Sequence, residues 1–315
     1  MSSNASRMEH YVAPVEEATV TVDQVRVSDK TSNLWNDAWR DLRKRPMFWI
    51  SLLIILVLLL MAAWPTLFTH TPPNNGCQLA NSNGGPAPGH PLGFTFQGCD
   101  IWARIVWGTR TSLAVGVLSA LIGGVIGLVM GSLAGFYGGW LDSVLSRVGD
   151  IFFSIPYILA AVVVMSVFSQ YRNVFTLSLA IGGFAWASTA RVVRAEVLRV
   201  RQADYVTASQ ALGLSRFRTL LVHVIPNAIA PLLVLVTLSL AAAITAEATL
   251  AFLGVGLGSE TMSWGNDVSQ AQTSLRVAPM ALIWPSIALT VTVLAFIMLG
   301  ELIRDALDPR ARAQR

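Results

Sequence analysis

Six long apolar runs constrain this chain more than any other feature. They cover residues 47–68, 112–137, 144–168, 174–190, 228–250 and 281–300. A helix needs ~20 mostly apolar residues to cross the hydrocarbon layer of a bilayer, and a helix satisfies its own backbone polar groups there. Hydrophobic residues make up 54% of the chain and charged residues only 13%, which is typical of membrane proteins. The sequence therefore predicts an all-α polytopic membrane protein with six transmembrane helices.

Basic residues orient these helices, because cytoplasmic loops next to spans carry an excess of Lys and Arg. If the N-terminus is inside, the outer connections hold only Arg104, Arg110, Arg172 and Arg276 of the 22 lysines and arginines. We therefore predict that the N- and C-termini are cytoplasmic. The net charge of +4 follows from this topology and requires no nucleic-acid partner.

The segment before the first span divides into two parts. Residues 1–32 are polar and aperiodic, which predicts a disordered cytoplasmic tail. Residues 33–46 place apolar side chains on one helical face and charges on the other, which predicts an interfacial amphipathic helix; an ordinary polar lead-in is the alternative. The run that begins at Met47 is too long for a signal-peptide core, so we expect an uncleaved anchor.

The outer loop, residues 69–110, contains both cysteines of the chain. In the predicted topology this loop faces an oxidising compartment, so we predict a disulfide between Cys77 and Cys99. Two free thiols are the alternative. Trp102 lies in an amphipathic stretch, residues 100–107, which we interpret as a surface helix that leads into the second span.

A polar, helix-forming segment separates the fourth and fifth apolar runs. It reads DYVTASQALG from Asp204 to Gly213 and is followed by Arg216. We predict a helix that Asp204 caps and a turn at Gly213 that ends it. The polar segment ends abruptly at Pro226, which lies near the start of the fifth span and costs no helix hydrogen bond there. The whole connection, residues 191–227, is a predicted cytoplasmic loop on which a soluble partner docks; an inert loop is the alternative.

Ionisable groups inside spans are costly and are candidates for function. Glu247 lies near the outer end of the fifth span, where it either faces the transport pathway or anchors the following loop by buried hydrogen bonds. Asp150 lies near the cytoplasmic end of the third span, where we expect a structural role with Arg147, one turn earlier, as its partner; a role in transport is the alternative.

Small residues at four-residue spacing mark the second span. Gly127, Gly131 and Gly135 form one row, and such rows let helix backbones approach closely in lipid. We predict a close helix contact along this row; a surface on which helices slide during a conformational cycle is the alternative.

Several enzyme classes are unsupported by this sequence. Its only lysines are Lys30 and Lys44, and neither follows a glycine-rich phosphate loop. It contains no zinc-protease His-Glu-x-x-His pattern and no Gly-x-Ser-x-Gly elbow. We therefore expect no catalytic residue, no metal site and no cofactor in this chain, and a transport step whose energy comes from another protein.

Four segments in order carry a resemblance to a known family. They are residues 90–100 (HPLGFTFQGCD), residues 204–213 with 223–227 (HVIPN), residues 247–256 (EATLAFLGVG) with 263–265, and residues 299–310 (LGELIRDALDPR). The chain resembles a permease subunit of the binding-protein-dependent ABC importers, in the dipeptide, oligopeptide and nickel branch, and specifically its "C" type. Thr207 and Ser209 replace the Glu and Ala of the family's "EAA" loop, and Cys99 replaces a common Arg.

The resemblance implies a type I ABC importer permease fold over residues 47–312, in a bacterial cytoplasmic membrane. It implies that residues 204–214 form a coupling helix for a cytoplasmic ATPase. The coupling residues would be Asp204, Tyr205, Thr207, Ala208, Ala211, Leu212, Gly213 and Arg216.

The implied partners are a second, "B"-type permease, two ATPase domains that carry ATP and Mg, an extracytoplasmic solute-binding protein and membrane lipid. Trp264 and Trp102 are the candidate contacts for the binding protein, although Trp264 is equally an interfacial anchor. The implied function is peptide import. The alternatives are import of nickel or another small solute, and a membrane scaffold that does not transport.

Overall fold

The computed structural model describes residues 34–74 and 77–307; the predicted tail, residues 1–32, lies outside them. The described chain is helical, as predicted, with two isolated β-bridges in the loop that precedes α3. The helices are α1 (Leu34–Leu42), α2 (Pro46–Ala63), α3 (Ile101–Tyr137), α4 (Gly139–Ser154), α5 (Tyr157–Val167), α6 (Val174–Arg201), α7 (Asp204–Ala211), α8 (Arg216–Thr219), α9 (Ile225–Phe252), α10 (Trp264–Ala271) and α11 (Met280–Leu307).

Four helices of the described chain are long and apolar enough to cross a membrane. They are α2, α3, α11 and the helix that runs continuously from Arg216 to Phe252. The bent pair α4–α5 makes a fifth if it is counted as one span. The remaining predicted span belongs to α6, whose C-terminal half carries Arg191, Arg194, Arg199 and Arg201. Six spans therefore stay a prediction.

Side-chain contacts define the two ends of the bundle. At the first, the Arg45 guanidinium contacts Asp305 of α11 at 2.9 Å, and Arg201 of α6 donates to the carbonyl of Phe136 in α3. We call it the basic end. At the other, Arg172 before α6 donates to the carbonyl of Gly254 after α9. We call it the disulfide end, because Cys77 and Cys99 are bonded there. Cys99 is buried.

The predicted third span, residues 144–168, is broken. Helix α4 ends at Ser154, α5 begins at Tyr157, and their axes differ by 81°. Pro156 occupies the N-cap of α5. Proline has no backbone N–H and disfavours helical geometry in the residue before it, and Ile155 is indeed extended (φ −89°, ψ 120°). The apolar run alone predicts one helix, because the hydrophobicity of a run does not depend on the backbone geometry that Pro156 imposes.

The polar segment does not end abruptly at Pro226. The chain is helical from Arg216 to Phe252, and residues Leu220–Val224 form a π-helical turn. In an unbroken α-helix the proline ring would clash with the carbonyl four residues earlier. The wider π turn, with the N–H of Ile225 bonded to the carbonyl of Leu220, accommodates the proline without ending the helix. The polar segment therefore has no abrupt end at the proline, whereas Pro226 does lie in the first turn of α9, as expected.

Helix α3 begins earlier than predicted, at Ile101, so residues 101–110 of the predicted outer loop are its first turns. Asp100 caps it: its Oδ1 accepts from the N–H of Trp102 at 3.1 Å. The predicted surface helix over residues 100–107 is therefore continuous with the second span.

The predicted glycine contact is confirmed, and its partner is α6. A Cβ on Gly131 would lie 2.5 Å from the carbonyl oxygen of Ala190, and one on Gly135 would lie 2.8 Å from that of Arg194. Both neighbours are backbone atoms, which cannot rotate away. Helices α3 and α6 thus pack backbone against backbone at the basic end of the bundle.

Candidate functional site

Helix α7 is short and is closed by a hydrogen-bonded turn. The N–H of Gly213 donates to the carbonyl of Gln210 at 3.0 Å, and that of Leu214 donates to Ser209 at 3.2 Å. This pair of bonds is a Schellman motif. It requires a left-handed residue after the helix, and Gly213 has a φ of +92°. The sequence predicts the turn at this residue because only glycine adopts this conformation without strain.

Asp204 does not cap α7, contrary to the prediction. Ala203 occupies the N-cap and makes no side-chain cap hydrogen bond, and Asp204 is the first helical residue. Its carboxylate lies in the first turn, where a negative charge is stabilised by the helix dipole. The chain enters the helix one residue earlier than the capping pattern indicated.

One face of α7 anchors it to the bundle. Val206 and Ser209 are buried, and Val206 joins an apolar cluster with Phe136 of α3, Val197 of α6 and Leu220 of the π turn. Helix α7 is therefore attached at once to α3, α6 and the beginning of the long α8–α9 helix.

The opposite face of α7 is open. All eight predicted coupling residues are exposed, and Leu212 exposes 83% of its surface. Tyr205 is half-exposed, and Phe217, 59% exposed, extends the same surface into α8. Sequence reasoning missed Phe217, although an aromatic residue between Arg216 and Arg218 in a polar loop was a usable signal. Exposed aromatic and leucine side chains at one place favour a protein interface.

Glu247 anchors the segment that follows α9. Its Oε1 accepts from the Ser263 hydroxyl at 2.7 Å, and its Oε2 accepts from the Ser112 hydroxyl at 3.4 Å. Each serine oxygen in turn accepts a backbone N–H of α10: Ser263 from Asn266 and Ser112 from Trp264, both at 3.1 Å. One buried carboxylate thus holds the first turn of α10 against α3. Of the two predicted roles, this geometry matches the anchor.

Trp264 is fully buried, at 0% exposure. Its indole N–H donates to the carbonyl of Ile105 at 3.0 Å, and its ring packs in the core with Val106 and Ile244. This side chain presents no surface to a binding protein, so that prediction is wrong. The local sequence does not distinguish the two cases, because a tryptophan in the segment that follows a span can be either an exposed anchor or a core residue. Trp102 is half-buried, and its indole donates to the carbonyl of Phe68.

Arg104 and Asp267 form a buried ion pair that sequence reasoning missed. The Nε of Arg104 donates to Oδ1 of Asp267 at 2.7 Å, Nη2 contacts the same oxygen, and Nη1 donates to Asn74 at 2.8 Å. Both side chains are about 95% buried. Burial raises the pKa of the Asp267 carboxyl, and the guanidinium opposes that shift. The sequence pattern assigns Arg104 to an outer loop, where no buried partner is expected.

Ion pairs join α4 to α6 near the basic end. Asp150 pairs with Arg191 at 2.9 Å and with Arg147, as expected, at 3.6 Å. Asp142 pairs with Arg194 through two short hydrogen bonds. These arginines and aspartates are partly exposed, so the pairs position helices more than they stabilise them.

Comparison with known families identifies the chain. Residues 127–313 match the family described as "Binding-protein-dependent transport system inner membrane component". The chain belongs to this family. Residues 33–86 match the N-terminal TM domain of oligopeptide transport permease C, which covers α1, α2 and the start of the outer loop.

Curated relatives cover nearly the whole chain. It is 34% identical to the oligopeptide transport system permease protein OppC of Bacillus subtilis over 92% of this chain and 94% of that protein. It is 32% identical to the glutathione transport system permease protein GsiD of Pectobacterium atrosepticum, over 89% and 92%. A solved structure of the MetNI methionine ABC transporter in an inward-facing conformation shares the fold, with a TM-score of 0.54 and 22% identity over 64% of this chain and 96% of that one.

The chain is therefore a permease subunit of an ABC importer and an integral protein of the inner membrane, and not an enzyme. Within this family, the chain resembles the permease C subunits of oligopeptide and dipeptide systems. Membership implies that a partner ATPase and a solute-binding protein act with it.

Proposed function

We propose that this chain is the "C"-type permease of a peptide importer and that α7 couples it to a partner ATPase. Two permeases, this chain and a "B"-type sibling, would form the pathway. Two ATPase domains would bind ATP and Mg, and an extracytoplasmic binding protein would deliver the peptide. Each permease would contribute six spans, with α4–α5 as a broken span and α6 as the one that carries arginines.

The observation that carries this proposal is that α7 is buried on one side and exposed on the other. Val206 and Ser209 attach the helix to three helices of the bundle, while Tyr205, Ala208 and Leu212 are exposed. A helix that is fixed on one side and exposes an aromatic ring and a leucine on the other is suited to sit in a groove of a partner. When that partner moves, the cluster around Val206 transmits the displacement to α3, α6 and α9, because packed interiors transmit strain.

The distribution of charge supports an orientation with the basic end in the cytoplasm. Helix α1, the arginines of α6 and the segment around α7 all lie at that end, as the positive-inside rule requires. The disulfide lies at the other end, which suits an oxidising compartment. Trp35 and Trp39 of α1 are exposed while Ala38 and Leu42 pack against α11; we expect the tryptophans to lie in the lipid headgroup layer.

Peptide is the cargo that the relatives favour. The OppC relative is described as an oligopeptide permease, and the GsiD relative as a permease for glutathione, which is itself a small peptide. For a metal cargo the spans would be expected to offer a cluster of His, Cys or carboxylate ligands. No group of this kind occurs among the described residues.

A charge placed on the open face of α7 tests the coupling. Ala208→Arg puts a long cationic side chain at an exposed position opposite Val206, so the permease folds but its ATPases are released. We expect loss of ATPase copurification and loss of peptide uptake, with normal amounts of permease in the membrane. Ser259→Arg makes the same substitution at an exposed position of the disulfide end and should retain the ATPases. Normal uptake by the Ala208 variant would refute the coupling assignment.

A further inference from the structure

Residues 39–49, which we call the α1–α2 corner, combine exposed aromatic rings with exposed positive charges. Trp39 of α1 and Trp49 of α2 each expose about half of their surface. Both rings make edge contacts with the ring of Phe48, at centroid distances of 5.8 and 5.5 Å. The two tryptophans therefore belong to one aromatic cluster that spans both helices.

The corner is a fixed part of the bundle. The backbone N–H groups of residues 43–45 donate to carbonyls of α1, and the indole N–H of Trp49 donates to the carbonyl of Arg43 at 3.0 Å. Leu42 of α1 packs with Phe48 of α2 and with Ala306 of α11. The side chains at the turn therefore project from a backbone that is already ordered.

The charges of the corner are only partly neutralised by the protein. Four basic residues lie in it, and two of them have carboxylate partners, namely Arg40 with Asp37, and Arg45 with Asp41 and Asp305. Arg43 and Lys44 are exposed and make no ion pair within the described part of the chain. Two positive charges thus stand beside the aromatic cluster without a counter-charge from the described residues.

The place of the corner in the chain selects a lipid as the partner of these charges. The α2 span begins at Pro46, so the corner lies at the depth of the lipid headgroups. Tryptophan is enriched at that depth, and Lys and Arg next to a span attract anionic lipids. Arginine binds phosphate oxygens through two N–H groups, and lysine binds them as a point charge. A zwitterionic headgroup has a phosphate as well, but its own cation offsets the attraction.

We propose that the α1–α2 corner binds the headgroup of an anionic phospholipid. Arg43 and Lys44 would contact its phosphate, and the rings of Trp39 and Trp49 would lie beside its glycerol and upper acyl chains. The inference rests on the orientation in the proposed function, which puts this end of the bundle in the cytoplasmic leaflet. The bound lipid would hold α1 at headgroup depth against α11.

Photolabelling of the assembled transporter in lipid nanodiscs tests the site. The discs consist of phosphatidylcholine with a trace of either photoreactive phosphatidylglycerol or photoreactive phosphatidylcholine, and the labelled residues are mapped by mass spectrometry. We expect the anionic probe to label residues 39–49 about tenfold or more strongly than the zwitterionic one, as two cations beside an anionic headgroup predict. The excess should shrink at about 1 M salt, which screens exposed charges.

Two double variants assign the preference to its residues. Arg43→Gln with Lys44→Gln removes both unpaired charges and should be labelled equally by the two probes. Arg110→Gln with Arg276→Gln is the matched control, because it removes two exposed arginines outside the corner, and it should keep the preference. All four side chains are exposed, so both variants should be recovered from the membrane in normal amounts.

Three results overturn the proposal. Equal labelling by the two probes, with and without residues 1–32, means that the tryptophans lie in the headgroup layer without selecting charge. A preference that survives in the Arg43–Lys44 variant assigns the selection to other residues. Residues 1–32 contain five carboxylates, and a preference that appears only after their deletion means that this segment, and not a lipid, occupies the corner.

The labelling requires no transport, so its failure is separate from a failure of the proposed function. If the corner selects no lipid, peptide uptake by the unmodified transporter would persist. Absence of that uptake, with the lipid preference intact, would instead refute peptide import alone.

Discussion

At the scale of single residues, Glu247 shows how one buried acid organises the segment that follows α9. It accepts from two serines, and each serine accepts a backbone N–H from α10. A carboxylate is well suited to this role, because its two oxygens offer several lone pairs and no donor. One side chain thereby holds the start of α10 and the parts of α3 and α9 that lie at the disulfide end.

Replacing this acid should loosen α10. Glu247→Ala leaves the hydroxyls of Ser112 and Ser263 without an acceptor, and each buried unsatisfied group costs about 1–3 kcal/mol. We expect a lower free energy of unfolding, by about 3 kcal/mol, measured as a drop in the Tm of the purified protein in detergent. Glu260→Ala, at an exposed position of the same segment, is the control and should leave the Tm unchanged. An equal Tm for both variants would show that the network is not stabilising.

At the scale of elements, the contact between α3 and α6 depends on the absence of side chains. Gly127, Gly131 and Gly135 face the backbone of α6, and a Cβ at any of them would lie within 3 Å of an atom of that helix. Gly182 of α6 makes the same kind of close contact with the backbone of α3, at Ser119. Since a bilayer offers no hydrophobic drive for helix association, close van der Waals packing must hold such a pair together.

An alanine placed in this row should separate the helices. Gly131→Ala improves intrinsic helix propensity by about 1 kcal/mol but drives a methyl group into the Ala190 carbonyl, so we expect net destabilisation of about 1–3 kcal/mol. Gly183→Ala is the matched control, because its Cβ would lie 4.0 Å from the nearest atom, in Leu179. The Tm should fall in the first variant and stay equal or rise in the second. A rise in both would mean that α3 can shift away without cost.

At the scale of the whole molecule, the two ends of the bundle carry different chemistry. The basic end holds α1, the arginines of α6 and the open face of α7, whereas the disulfide end holds the buried Arg104–Asp267 pair. An importer that couples ATP hydrolysis on one side to solute capture on the other needs this polarity.

Single-cysteine labelling tests whether α6 crosses the membrane between these ends. Since Cys77 and Cys99 are bonded to each other, an added cysteine supplies the reactive thiol. Gln170→Cys, before α6, should react with an impermeant maleimide in intact cells. Gln202→Cys, after α6, should react only once the membrane is permeabilised. Both positions are exposed, so reaction of both from the same side would contradict six spans.

Local patterns in the sequence were sufficient to predict several features correctly. Apolar length predicted the helical membrane class, because a span is determined by hydrophobicity and rise per residue alone. The turn at Gly213 was predictable, because left-handed geometry selects glycine. The glycine row of α3 was predictable from residue size, because only the smallest residues let two backbones approach closely. In each case the physical cause lies within a few neighbouring residues.

Other features were decided only when distant segments came together. A helix ends before Pro156, whereas at Pro226 a π turn accommodates the proline and the helix continues. The packing around each proline decides between these two outcomes. Trp264 was expected at the surface and lies in the core, and Asp267 meets an arginine 163 positions earlier in the chain. By itself the sequence determined which segments are helical and apolar; tertiary packing decided which polar groups are buried and paired, because burial depends on contacts that no local pattern encodes.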